Sequence, residues 1–253
     1  MVEILTEISS TCKMKIPTIK GIIDRRILIN FRVDKDIITE FLPKPFRPKL
    51  VKGKAIVGIC LIRLKGIRPI GLPEAVGVAS ENGAHRIAVE WTEEGQIKEG
   101  VYIPRRDTSS KINAFAGGRF FPGIHHLAEF TVEEGDGSYC INFKSEDGTS
   151  LSITAKETTL WNNESIFQNL DSASEFFQRG AVGYSPDRTG ETFDGLKLKT
   201  HNWNLSPLMV TQVQSSFFEN ENIFPKGSVK FDNALLMKGI EHEWLNLEEI
   251  RNI

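Results

Sequence analysis

Three acidic glycine turns punctuate the middle of this chain: Glu93-Glu94-Gly95, Gly135-Asp136-Gly137 and Glu146-Asp147-Gly148. Each lies between runs rich in Val, Ile, Phe, Tyr or Thr, and that arrangement is the signature of β-hairpins. The runs predict strands at about Arg26–Val33, Lys54–Leu64, Gly77–Trp91, Lys98–Ile103, Leu127–Glu133, Tyr139–Lys144 and Leu151–Lys156. Further strands are expected at Leu196–Asn202, Met209–Phe217 and Ser228–Met237. Helices are few and short. Asp34 can cap Lys35–Leu42, which Pro43 and Pro45 stop. Thr108, Ser109 and Ser110 offer caps for a turn or two ending at Gly117-Gly118. Ser172 and Glu175 have capping-box spacing for Ala173–Arg179, with Gly180 as terminator. No long amphipathic helix separates the strands, which argues against a doubly wound α/β sheet. The expected class is α+β, mostly antiparallel β, with a coiled or closed sheet hiding its own edges and a few peripheral helices.

Composition narrows the function classes. The chain has 253 residues, 40% hydrophobic and 25% charged, and no repeat or Gly/Ser linker divides it. We read one domain over residues 1–253, with 1–20 as an N-terminal extension. The net charge of −2 argues against nucleic acid or a polybasic membrane surface as partner. Glu3 and Glu7 stand where a signal peptide would be basic. The longest apolar stretch, Ala55–Ile62, falls far short of the ~20 residues of a spanning helix and reads as a buried strand. Cys12, Cys60 and Cys140 cannot all pair and form no Cys-x-x-Cys. That usage fits a reducing, cytoplasmic compartment with buried thiols.

Nucleotide-loop and nucleophile-elbow motifs are missing, so no cofactor is expected. His125 and His126 are adjacent, and on a strand they point to opposite faces. Glu129 would join them as a metal ligand only on a helix, which nothing there supports, so no metal site is expected. Phe115, Phe120, Phe121, Phe217 and Phe218 read first as core, although they could line a pocket. One segment is chemically odd: Val101-Tyr102-Ile103-Pro104-Arg105-Arg106-Asp107-Thr108-Ser109-Ser110. Two adjacent guanidinium groups must find carboxylates, an anionic ligand or water. In one reading this is a solvated turn where Arg105 or Arg106 pairs with Asp107 or Glu99. In the other it is a pocket lip that meets a planar anion bidentately.

This segment resembles the active-site strand of the acetoacetate decarboxylase-like superfamily, where an aromatic residue and a proline precede two lysines. In that family the first lysine forms a Schiff base with a keto acid, and the second lowers its pKa. Pro104 matches the proline, Arg105 the nucleophile and Arg106 its partner. Arg32-Val33-Asp34, a short helix and Leu42-Pro43-Lys44-Pro45-Phe46 resemble the family's opening elements. Ala79-Ser80-Glu81-Asn82 resembles the element that carries its pocket glutamate, and Arg25 and Arg26 fall where the family has another pocket arginine. The resemblance spans about Arg25 to Phe121 and points to an uncharacterised bacterial branch, known mainly as a domain of unknown function. It implies a cone-like sheet or barrel of the acetoacetate decarboxylase type.

A guanidinium stays protonated and is a poor nucleophile, so Arg105 forms no Schiff base. A lysine placed there would regain the amine, with Arg106 beside it to lower the pKa. The resulting expectation is a protein that binds a small organic anion of the keto or hydroxy acid class through Arg105, Arg106, Glu81 and Arg25, with no covalent chemistry. Glu81 is either counter-ion to Arg105 or Arg106, or a general base. Two other classes stay open: a non-covalent acid–base enzyme of lyase or hydratase type using Glu81, and a scaffold with a vestigial pocket that could assemble as a homo-oligomer. Fold analogy does not choose among them.

Overall fold

The computed structural model describes residues 17–117 and 121–252; Cys12, Phe120 and most of the 1–20 extension lie outside them. In chain order the elements are β1 (Ile19–Asp34), α1 (Lys35–Phe41), β2 (Arg47–Pro48), β3 (Leu50–Val51), β4 (Lys54–Pro69), β5 (Val78–Glu93), β6 (Gln96–Thr108), α2 (Lys111–Ala116), β7 (His125–Gly135), β8 (Ser138–Ser145), β9 (Ser150–Glu157), α3 (Leu170–Arg179), β10 (Val182–Pro186), β11 (Thr192–Thr200), β12 (Ser206–Ser215), β13 (Lys230–Asn246) and β14 (Ile250–Arg251). The class is mostly antiparallel β, as expected. Glu94 and Gly95 both have positive φ (49° and 75°), as do Asp136 and Gly137 (51° and 72°). Two such residues in succession turn a hairpin without splaying its strands. No helix among the described residues is long and apolar enough to cross a membrane.

All the strands join one ring-like sheet, whose pairings return on themselves twice. Strands β13, β1, β4, β5 and β6 form a shared wall. From β6 one circuit runs back to β13 through β7, β8, β9 and β12, and another through β10 and β11. The wall is therefore covered on both faces, and alternation along each strand feeds two interiors. Ile27, Ile29, Phe31 and Val33 of β1 face the first, with Ile59 and Leu61 of β4 and Ile141, Phe143 and Ile153 of the far strands. Leu28 faces the second, with Ile56, Cys60, Ala88, Met237 and, from α3, Ala173 and Phe177. Burial on both faces explains the unbroken apolar run in β4. Gly58 lets β4 approach β1, since a Cβ there would lie 2.2 Å from the Ile29 carbonyl oxygen.

Several boundaries differ from expectation: β1 starts at Ile19 rather than Arg26, β4 runs to Pro69 rather than Leu64, and β13 to Asn246 rather than Met237. β6 does not stop at Ile103 but continues through Pro104 to Thr108. The ladder accommodates the proline in a bulge: His85 faces Arg105 and Ile87 faces Tyr102, so Ile103 and Pro104 together oppose Arg86. α3 starts at Leu170 rather than Ala173, because the capping box is Asn169 with Ser172, not Ser172 with Glu175. The Asn169 Oδ1 accepts from the Ser172 amide at 2.9 Å, and the Ser172 hydroxyl accepts in return. Asp34 precedes α1 without a side-chain cap, its carboxylate being held by Lys54. Ser110 does cap α2, accepting from the Asn113 amide at 3.2 Å.

Candidate functional site

The arginine pair sits at a fork. One side of β6 pairs with β5 along most of its length. The other pairs with β10 at Val101–Tyr102 and then with β7 at Arg106–Thr108. Arg105 lies where the two partners part. Successive strand residues point to opposite faces, so Arg105 and Asp107 enter the first interior while Arg106 enters the second.

In the first interior every guanidinium meets carboxylate. Arg105 donates from Nε and Nη2 to the fully buried Asp107 (2.7–3.1 Å), and from Nη1 and Nη2 to Asp147 of the β8–β9 turn at 2.6 and 3.0 Å. Ser145 donates to the same Asp107 at 2.6 Å. Arg105 holds the Asp147 carboxyl well below the usual range by hydrogen bonding. His85 packs 4.4 Å from the Phe217 ring with both nitrogens lacking a hydrogen-bond partner, and its Nδ1 is 3.7 Å from Asp107. Burial, with Arg105 adding to it, pushes its pKa down to about 3.

Glu81 shares this face with Arg105 but lies four residues along the ladder, ~13 Å at the strand rise. Its carboxylate is engaged by other arginines than expected. Arg25 donates to it at 2.5 Å and Arg63 at 2.5 Å, and both also donate to Glu134 of β7. The counter-ion role read from sequence thus appears with Arg25 and Arg63, not with Arg105 or Arg106. The reason is register: Arg25, Arg63 and Glu81 are cross-strand neighbours on β1, β4 and β5. Glu99 pairs with Lys49.

The second interior has the opposite balance. Arg106 lines a cavity of about 100 Å³ with Asn82, Asn113, His125, Ile62 and Trp244; Asp107 also borders it, its carboxylate taken up by Arg105 and Ser145. Among the described residues its one hydrogen bond is from Nε to the Ser185 hydroxyl (3.1 Å), and no carboxylate forms an ion pair with it, Asp194 of β11 acting on it only at longer range. Burial pushes this guanidinium down to about 10. Asn82 is fixed by bonds to Ser80 and Thr108 (2.9 and 2.7 Å). His125 is neutral, its pKa pushed to about 3 by burial and then by Arg106. Its Nδ1 lies 3.1 Å from the Gly123 carbonyl, so that nitrogen carries the hydrogen and Nε2 is left to accept. On the same face, Arg26 donates to Cys60 Sγ at 3.2 Å and Arg86 donates to Asn30, again without carboxylates. Cys60 is a buried free thiol, as its apolar run implies.

Sequence reasoning missed Arg63, Glu134, Asp147, Arg86 and Asn113. Asp147 was visible only as a turn residue, and nothing local marks which turn reaches Arg105.

The sequence matches the family DUF2071, described as an uncharacterized conserved protein, over residues 23–238. No curated protein matches it. Among solved structures, acetoacetate decarboxylase from Legionella pneumophila superposes with a TM-score of 0.58 at 14% identity, covering 92% of this chain and 88% of that one. An acetoacetate decarboxylase-like enzyme from Sphingomonas wittichii RW1 gives 0.56 at 9% identity, covering 92% and 93%. The enduracididine biosynthesis enzyme MppR, complexed with pyruvate, gives 0.53 at 9% identity, covering 97% and 93%.

Proposed function

This chain belongs to the DUF2071 family and has the acetoacetate decarboxylase fold, and from that premise we propose that it binds a small organic anion, of the keto or hydroxy acid class, in the cavity at Arg106. The observation that carries this reading is a guanidinium without a carboxylate partner, set in a void with fixed amides and a neutral histidine. Burying a cation without a carboxylate in direct contact is costly, Asp194 offsets that only at a distance, and an incoming carboxylate reduces the cost further. Asn82 and Asn113 border the same space, and the His125 Nε2 can accept from a substrate hydroxyl. The pyruvate in MppR shows a keto acid bound within this fold and supports the ligand class.

Schiff-base chemistry has no support at position 105, since a guanidinium is not a nucleophile at physiological pH. In this reading the ion pairs of Arg105 with Asp107 and Asp147, and of Arg25 with Glu81, serve the fold. The acid–base reading with Glu81 as base has less in its favour, because two arginines already engage both of its oxygens.

A thermal-shift screen with small keto, hydroxy and aromatic acids at fixed ionic strength tests the proposal. A ligand at about 100 times its Kd adds about 2.7 kcal/mol of apparent stability. Replacing Arg106→Gln should weaken the selected acid by about 1.5–3 kcal/mol, roughly ten- to a hundredfold, the worth of a charged hydrogen bond. Arg105→Gln should leave its affinity within about twofold. Affinity lost with Arg105 and kept without Arg106 would place the site in the first interior and end this reading.

A further inference from the structure

The second interior holds another group of cations that the organic-anion cavity does not use. Arg86 is 5% exposed, its Nε has no hydrogen-bond partner, and its charged end rests on the Phe177 ring at 4.9 Å and on Asn30. Arg26 comes from β1, two strands away, and among the described residues donates to the Cys60 thiol and the Met237 thioether (4.0 Å) and faces Trp203 at 5.9 Å. Lys49 closes the group, with its ammonium 2.6 Å from Glu99 and 4.3 Å from the Phe176 ring. Three cations thus face one carboxylate, and neither arginine donates to a carboxylate or to a carbonyl of α3 among the described residues. The three line a cavity of about 30 Å³ whose remaining walls include Phe176, Phe177 and Leu28.

We propose that this cavity is a site for a monatomic anion of the halide class, held between Arg26 and Arg86 and distinct from the cavity at Arg106. Charge favours it: Arg86 is buried beside the partly buried Arg26 with the Cys60 sulfur, and no carboxylate in contact, to offset the two charges, a costly arrangement for a core. The size selects the class. At about 30 Å³ the cavity has room for two or three waters, at about 10–15 Å³ each, a space that a halide fills and that the keto or hydroxy acids of the Arg106 cavity exceed. The charged lining consists of donors, which suits a spherical acceptor better than a water needing acceptors for its own hydrogens. Burial has already pushed Arg86 down to about 10, with Arg26 contributing, and a bound anion would reverse that direction.

The test is a bromide titration of the full chain at constant ionic strength, made up with methanesulfonate, a polyatomic anion outside the proposed class, followed by thermal unfolding. Wild type should show a saturable rise in Tm, kept in Arg106→Gln and weakened about tenfold or more in Arg86→Met. Arg26→Met, at a partly exposed residue, gives the same readout if Arg86→Met does not fold. A crystal grown with bromide should place its anomalous peak between the two guanidinium groups. A rise that is linear and unsaturated, or unchanged in both variants, would show only bulk salt acting and overturn the site. A peak at Arg106 instead would assign the halide to the organic-anion cavity and likewise overturn it.

Discussion

Asp107 is the residue whose loss tests the charge architecture most directly. It is fully buried and accepts from Arg105 Nε and Nη2 and from the Ser145 hydroxyl, at 2.6–3.1 Å. Asp107→Asn keeps the shape and removes the charge. Arg105, whose side chain is 11% exposed, is then left with Asp147, itself 45% exposed and poorly able to neutralise it in water. Breaking one side of a buried pair costs about 3–5 kcal/mol. For a chain of this size each kcal/mol lowers Tm by about 2–4 °C, so a fall of roughly 6–20 °C is expected. Urea unfolding at pH 7 should show the midpoint shift with an unchanged m-value. The double variant Arg105→Met/Asp107→Asn removes the orphaned cation and should recover about half of the loss or more, a coupling that a double-mutant cycle reads directly. If Asp107→Asn lies within about 1 kcal/mol of wild type, or the two changes simply add, the pair is not the buried interaction described and the reasoning fails.

Two further outcomes follow from the same interior. His85 is expected to make stability pH-dependent: an unfolded imidazole takes up a proton below about 6.5, while the buried ring does so only near 3. Its stability contribution is therefore full above 6.5 and falls by about 1.4 kcal/mol per pH unit below it, about 2 kcal/mol at pH 5. Replacing His85→Phe should flatten the stability–pH slope by one proton between pH 4 and 6, roughly the span between those two pKa values; an unchanged slope would show that His85 does not titrate this way. Treatment of wild type with acetoacetate and borohydride should give no adduct at position 105, and Arg105→Lys alone should give none either. Arg106, which sequence adjacency makes the pKa-lowering neighbour, points into the other interior, whereas Asp107 and Asp147 would hold the new ammonium protonated. Mass-spectrometric detection of a trapped lysine in that single variant would show that the carboxylates do not govern the site.

The turns at Glu94-Gly95 and Asp136-Gly137 were legible because a hairpin turn is a local matter of φ sign, and β4 because a doubly covered strand must be apolar throughout. The pairing of Arg105 with Asp107 was also readable, since residues two apart on a strand share a face. β10 was not, because Val182–Pro186 carries glycine, serine and proline and is a strand only through its neighbours. Sequence could say that Arg105 and Arg106 alternate if they lie on a strand; it could not say what covers each face. That depended on β6 meeting β7 at one end and β10 at the other, which brings Asp147 to Arg105 and leaves Arg106 with a hydroxyl and a void. Glu81 found Arg25 and Arg63 for the same reason: register across β1, β4 and β5 placed them side by side. Periodicity and turn chemistry act over a few residues and are written into the chain, whereas charge compensation in a closed sheet is settled between strands far apart in sequence, and only the tertiary structure decides which arginine is left without a partner.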